Sequence, residues 1–201
     1  LATACIKTIT KALKSGLTLT QDLWNILSEC CKIFLTVKST IEKAPLDVLV
    51  DLAKEYTPSI PENSDMVSLT EIDNVTIAKL EDLLNQPNEE ENERALNAQL
   101  TNQLYLLYIL FSKISFGYAR KDKTTRALAW YNLGLSELNV YLDQENKNSD
   151  ILNASIDCFK RVIRLQNQDP DVWNAYGVAC SFVNVKVAQH CFIRCLILDS
   201  K

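Results

Sequence analysis

Two short stretches near the C-terminus share one pattern. They read Trp130-Tyr131-Asn132-Leu133-Gly134 and Trp173-Asn174-Ala175-Tyr176-Gly177. Each is followed by a helix-like stretch in which a small residue stands four positions before a Phe: Ser155 and Phe159, then Ala188 and Phe192. A glycine inside a helix costs about 1 kcal/mol relative to alanine. That cost is tolerated where a neighbouring helix must come close. The pattern therefore asks for pairs of helices, each pair plugged by a Trp and closed over a Gly by a Phe.

The spacing identifies the unit. Phe159 and Trp173 are 14 residues apart, as expected between the second helix of one pair and the first helix of the next. W-x-x-[L/Y]-G followed by small-x-x-x-Phe is the signature of the tetratricopeptide repeat, whose period is about 34 residues. Trp-to-Phe spacing should then be about 20 residues. The second copy has 19 and the first has 29. The excess is expected as a polar loop insertion over 142–150, and deletion of 143–150 should be tolerated. Asp169-Pro170 lies between the repeats, with Asp suited to cap the next helix and Pro to occupy its first turn. The structural repeat positions are thus Trp130, Leu133, Gly134, Ser155, Phe159, Trp173, Tyr176, Gly177, Ala188 and Phe192.

Composition agrees with helices throughout. In 201 residues there are only 4 Gly and 5 Pro, and 47% of residues are hydrophobic. Few breakers and many good helix formers predict an all-α chain. The apolar run from Tyr105 to Phe116 is interrupted by Ser112 and Lys113 and is too short to span a bilayer, which takes about 20 residues. Seven cysteines and a single histidine, His190, offer no paired short-spacing ligands. Cys191 and Cys195 lie one helical turn apart without a second pair. No metal site and no cofactor are expected, and the cysteines read as small buried hydrophobes in a reducing compartment. The net charge of −4 argues against a phosphate-binding surface. Ten acids and two bases fall between Thr57 and Ala95, so the remainder of the chain is mildly basic.

Periodicity predicts a helix over 2–14, a second from Thr20-Gln21-Asp22 onward, and a third opened by Pro45. Trp24-x-x-Leu27-Ser28 resembles a repeat's first helix with Ser in the place of Gly. The helix after Pro45 is then its second helix, lacking the small and Phe landmarks. A linker over 57–74, a short helix over 75–84 and an acidic helix start at 87–93 follow. Three segments result: 1–56, degenerate helical repeats; 57–95, an acidic linker with a short helix; 96–201, tetratricopeptide repeats with the insertion at 142–150. The fold expected is a tetratricopeptide-type helical repeat solenoid, irregular in its N-terminal half. The chain opens on Leu1-Ala2-Thr3-Ala4, already in a helical pattern, and ends where one repeat would run into the next, which reads as a fragment of a longer solenoid.

Such a chain is expected to bind proteins rather than catalyse. It has no Gly-rich phosphate loop and no readable nucleophile–base pair, and Asp157 and Asp171 read as solvated or capping residues. Tetratricopeptide domains that clamp a chaperone's carboxylate need Lys and Asn at the fifth and ninth repeat positions. Here those positions hold Tyr131 and Leu135, then Asn174 and Val178. An alternative is an RNA-binding helical repeat, with Lys160, Arg161 and Arg164 as a basic patch and Tyr105, Tyr108 and Tyr118 as stacking aromatics. The bland reading is a solvated helix face beside core tyrosines, and it argues against direct RNA binding.

The runs Ala127–Leu135, Ile156–Leu165 and Asp169–Ala179 resemble the large tetratricopeptide scaffold subunit of the superkiller complex. The resemblance covers about the last 75 residues. It implies a non-catalytic cytoplasmic scaffold, with a nuclear pool left open. Such a subunit gathers an RNA helicase and WD40-propeller subunits and assists 3′-to-5′ decay of messenger RNA by the exosome. A tetratricopeptide scaffold of another multiprotein assembly remains the alternative within the same class. The resemblance assigns no partner-binding residue.

Overall fold

The structure is a computed structural model describing residues 2–15, 20–37, 43–56, 93–117, 122–144 and 147–200. The expected linker over 57–74, the helix over 75–84, the acidic turn before residue 93 and Tyr118 lie outside the described residues. Eight helices are described: α1 (Ala2–Lys14), α2 (Gln21–Val37), α3 (Lys43–Tyr56), α4 (Glu93–Gly117), α5 (Lys123–Asp143), α6 (Ser149–Leu165), α7 (Pro170–Ser181) and α8 (Val185–Asp199). No strand occurs among the described residues. The fold is all-α and of the helical-repeat class. None of these helices is long and apolar enough to cross a membrane. The chain forms two compact units, Leu1–Tyr118 and Ala119–Lys201.

In the first unit, α2 starts where the Thr20 hydroxyl accepts the Leu23 N–H at 3.4 Å. It turns Leu23, Trp24, Leu27, Cys30 and Cys31 inward at helical spacing. Its principal partner is α4, whereas α3 packs on α1 and α4. This corrects the expectation that α3 completes the degenerate repeat. The reason is size: α4 brings Phe111, which stacks on Trp24 with ring centroids 5.8 Å apart, while Leu46, Leu49, Val50, Leu52 and Ala53, buried in α3, are aliphatic. The two helices run antiparallel. Ser115 donates to Asn25 Oδ1 at 2.6 Å near one end, and Ser28 and Ser112 share a hydrogen bond of 2.7 Å further along.

The second unit is two hairpins, α5/α6 and α7/α8, with α6 packed on α7. Each helix start is capped by a side-chain oxygen: Asp122 on Thr125 N, Asn148 on Asp150 N, Asp169 on Asp171 N, and Asn184 on Lys186 N. Pro170 occupies the first turn of α7, as its fixed φ allows. Leu138, Tyr141, Leu152, Ile156, Phe159, Ala175, Ala179, Cys180 and Ala188 form one core.

The residues 142–150 are not a loop throughout. α5 runs to Asp143 and α6 begins at Ser149, which leaves 144–148 between the helices. The helix continues past Gly134 because it goes on burying Leu138, Val140 and Tyr141. Lys147 closes its end, donating to the carbonyls of Tyr141 and Leu142 at 2.8 and 2.6 Å. Deleting 143–150 would therefore remove the last residue of one helix, and the N-cap and first two residues of the next.

Candidate interaction surface

Each hairpin of the second unit is closed in the same way. Phe159 lies against Gly134, where an added Cβ would stand 3.0 Å from both its ring and the Cys158 Cβ. Phe192 lies against Gly177, where an added Cβ would stand 2.6 Å from the ring. Ser155 uses its small size to approach α5 and donates to the Gly134 carbonyl at 2.8 Å. Trp130, Leu133, Ser155, Phe159, Trp173 and Ala188 are buried, and Tyr176 and Phe192 are half-buried. All ten structural repeat positions thus lie inside or at the border of the packing. The surface left for a partner is elsewhere.

Two arginines complete this packing. Arg161 lies 4.6 Å from the centroid of the Trp130 ring and Arg194 lies 5.6 Å from that of Trp173. Both stand two residues after the repeat's Phe, so a Phe-x-Arg element occurs in each hairpin. That repetition was the available signal, and sequence reasoning instead placed Arg161 in a basic patch. The patch is further reduced by Lys160, which pairs with Asp157 at 2.9 Å. Tyr105 and Tyr108 are core residues of the first unit.

The outward face of α5 carries Leu128, Tyr131, Leu135, Asn139 and Leu142, spaced three or four apart and so aligned on one side of the helix. Leu128 is 52% exposed, and Tyr131 and Leu135 are half-buried. In the same repeat register α7 presents Asp171, Asn174 and Val178. The two stripes adjoin. Burial raises the Tyr131 hydroxyl pKa, and the carboxylates of Asp171 and Asp169 raise it further. The surface is apolar along α5 and acidic at the start of α7, with no Lys or Arg among the eight positions. It suits an apolar segment bearing hydrogen-bond donors or cations. Among these positions no cation stands ready for a carboxylate or a phosphate.

Five of the seven thiols are buried, and Cys5 and Cys195 are half-buried. Cys191 is pushed up to about 11 by burial and by Cys180, and Cys180 is itself raised by burial. Raised thiols are poor nucleophiles and poor metal ligands at neutral pH.

The sequence is similar to proteins of known name. No protein-family model matches the chain. Over 181 residues, 90% of its length, it is 30% identical to Superkiller protein 3 of Saccharomyces cerevisiae. Over 168 residues, 83% of its length, it is 25% identical to Superkiller protein 3 of Schizosaccharomyces pombe. The chain is a Superkiller protein 3-like tetratricopeptide segment. It spans 12% and 11% of the length of those two relatives. A match over 90% of the chain reaches into both compact units, so the Superkiller protein 3-like region includes the irregular α1–α4 unit and not the two clear repeats alone.

Proposed function

We propose that this Superkiller protein 3-like segment is a non-catalytic, cytoplasmic protein-binding part of a superkiller-type scaffold. The observation that carries the reading is the 30% identity to Superkiller protein 3 across 90% of the chain. The apolar and acidic face of α5 and α7 supports it, since that chemistry serves a protein partner better than a nucleic acid. The partners proposed are a helicase subunit and WD40-propeller subunits, gathered so that messenger RNA reaches the exosome for 3′-to-5′ decay. The repeats supply rigidity and position, and catalysis belongs to the subunits they hold.

The test is affinity purification of the intact protein with and without Leu128→Glu/Leu142→Glu, both at exposed positions. The unmodified protein is expected to bring down a helicase and a WD40 protein. The double variant should lose at least one of them with its helical circular dichroism and melting temperature unchanged. Recovery of a different assembly, with no helicase present, would redirect the scaffold to another complex. Undiminished recovery with the double variant would move the partner surface away from α5.

A further inference from the structure

The face shared by α5 and α7 is acidic at one end and apolar at the other. The two helices pack side by side and run parallel, since each is the first helix of a hairpin. Their register is set at both ends. Tyr131 on α5 stands in the field of Asp169 and Asp171 at the start of α7. At the other end Tyr141 meets Phe182 edge-on at 5.2 Å. Asp171 and Phe182 lie on the same side of α7 and are about 16 Å apart at the helical rise. Leu142, Phe182 and Val183 are all exposed at the second end, where turns between helices ordinarily carry polar residues. Asp143 and Lys147 stand near that end with opposite signs. The first end carries Asp169 and Asp171, with no base on either stripe.

We propose that this face seats an amphipathic helix of a partner protein in one direction only, with its Lys or Arg at Asp169 and Asp171 and its apolar end on Leu142, Phe182 and Val183. Charge complementarity selects the direction. A cation is stabilised beside the two carboxylates and gains nothing at the far end, whereas a phosphate backbone is repelled at the first end. The apolar stripe selects the helix. An extended chain laid over Leu128, Leu135 and Val178 would leave backbone N–H and C=O groups without partners where water is displaced. A helix satisfies its own backbone and presents apolar side chains at the three-and-four spacing of the stripe on α5. The proposal rests on the reading of this segment as a protein-binding scaffold and adds the form and direction of what it binds.

The test is site-specific photo-crosslinking in the purified assembly of the intact polypeptide. A benzophenone amino acid replaces Asn174 or Val183, both exposed, so both acids stay in place. Crosslinked peptides are identified by mass spectrometry. The two adducts should fall in one partner segment about nine residues apart, the helical spacing for that distance. A Lys or Arg should lie within one turn beyond the Asn174 adduct, and an apolar residue beside the Val183 adduct. A separation of about four residues marks an extended chain and overturns the helix. Adducts in reversed order, in two different proteins or in RNA overturn the proposal as a whole. No adduct at either site while a helicase still co-purifies overturns it too, and leaves the scaffold reading standing on another surface. Adducts of the expected kind in an assembly without a helicase support the seat and overturn the superkiller assignment instead. Charge reversal supplies the second arm. Asp171→Lys should lower recovery of the crosslinked partner at least about tenfold, and Asn153→Lys, at an exposed position of α6, should not. Equal recovery of the partner by both variants, with unchanged helical circular dichroism, overturns the role of the acids.

Discussion

The α2/α4 pair and the α5/α6 pair do one job by two chemistries. In α5/α6 the helices close over a missing Cβ at Gly134, and Phe159 fills the space. In α2/α4 the corresponding position is Ser28, whose hydroxyl meets Ser112 at 2.7 Å and the Tyr108 carbonyl at 3.2 Å. Phe111 stacks on Trp24 across the same interface. The glycine pair draws its specificity from shape. The serine pair draws it from buried hydrogen bonds, which stabilise modestly when made and cost more when one partner is removed. A repeat can therefore keep its aromatic plug and exchange its point of contact.

The largest expected effect tests whether the aromatic plugs are equivalent. Trp24 is 0% exposed and Trp130 is 4% exposed. Trp24→Ala and Trp130→Ala should each cost about 3–5 kcal/mol by emptying a large core site, read as the unfolding free energy in denaturant. A near-zero cost for Trp24→Ala alone would break the equivalence. Exchanging the contact residues should have a smaller effect. Gly134→Ser places a side chain against the Cys158 Cβ, which is fixed to its helix, and overpacking of this kind costs about 1–3 kcal/mol. Ser28→Gly should cost about 1 kcal/mol through the lost hydrogen bond. Indifference to Gly134→Ser would show that shape does not define the second pair.

The smallest effect is alkaline. Cys30 in α2 is pushed up to about 12 by burial and by Cys5, and Cys191 in α8 up to about 11 by burial and by Cys180. A pKa raised in the folded state gives stability that is complete below the unfolded value of 9.0 and is lost as pH rises through the folded value. For Cys191 the loss should be under about 1 kcal/mol at pH 9.5 and should grow toward pH 11. Melting temperatures from pH 7 to 11 should fall above pH 9, and less steeply in Cys191→Ala. A flat profile would mean that these thiols are not held neutral by the fold.

The α5–α8 unit was legible because its landmarks are contiguous. Trp, Gly, small residue and Phe recur in order, and the cap at Asp169-Pro170 falls between the copies. The α2/α4 pair was not legible, because residues 38–92 separate its helices in the chain. A search for the Phe that faces Trp24 naturally stops at the next helix, and α3 has none. The interaction face was half legible. Tyr131, Leu135, Asn174 and Val178 stood out as positions lacking clamp residues. Leu128 did not, because its exposure follows from where α6 fails to cover α5. The arginines over Trp130 and Trp173 were harder to read: a cation above an aromatic ring is a contact between helices, and only the repetition of Phe-x-Arg in both hairpins signals it.

A periodic surface gives a partner no way to tell one step from the next. α5 removes that ambiguity. It continues nine residues past Gly134, whereas α7 continues four past Gly177, a difference of about 7 Å at the helical rise. The longer helix also carries Tyr141, which meets Phe182 edge-on at 5.2 Å. One repeat is thereby marked as different from its neighbour, and a subunit that rests against that step has an address along the array rather than a choice of equivalent berths.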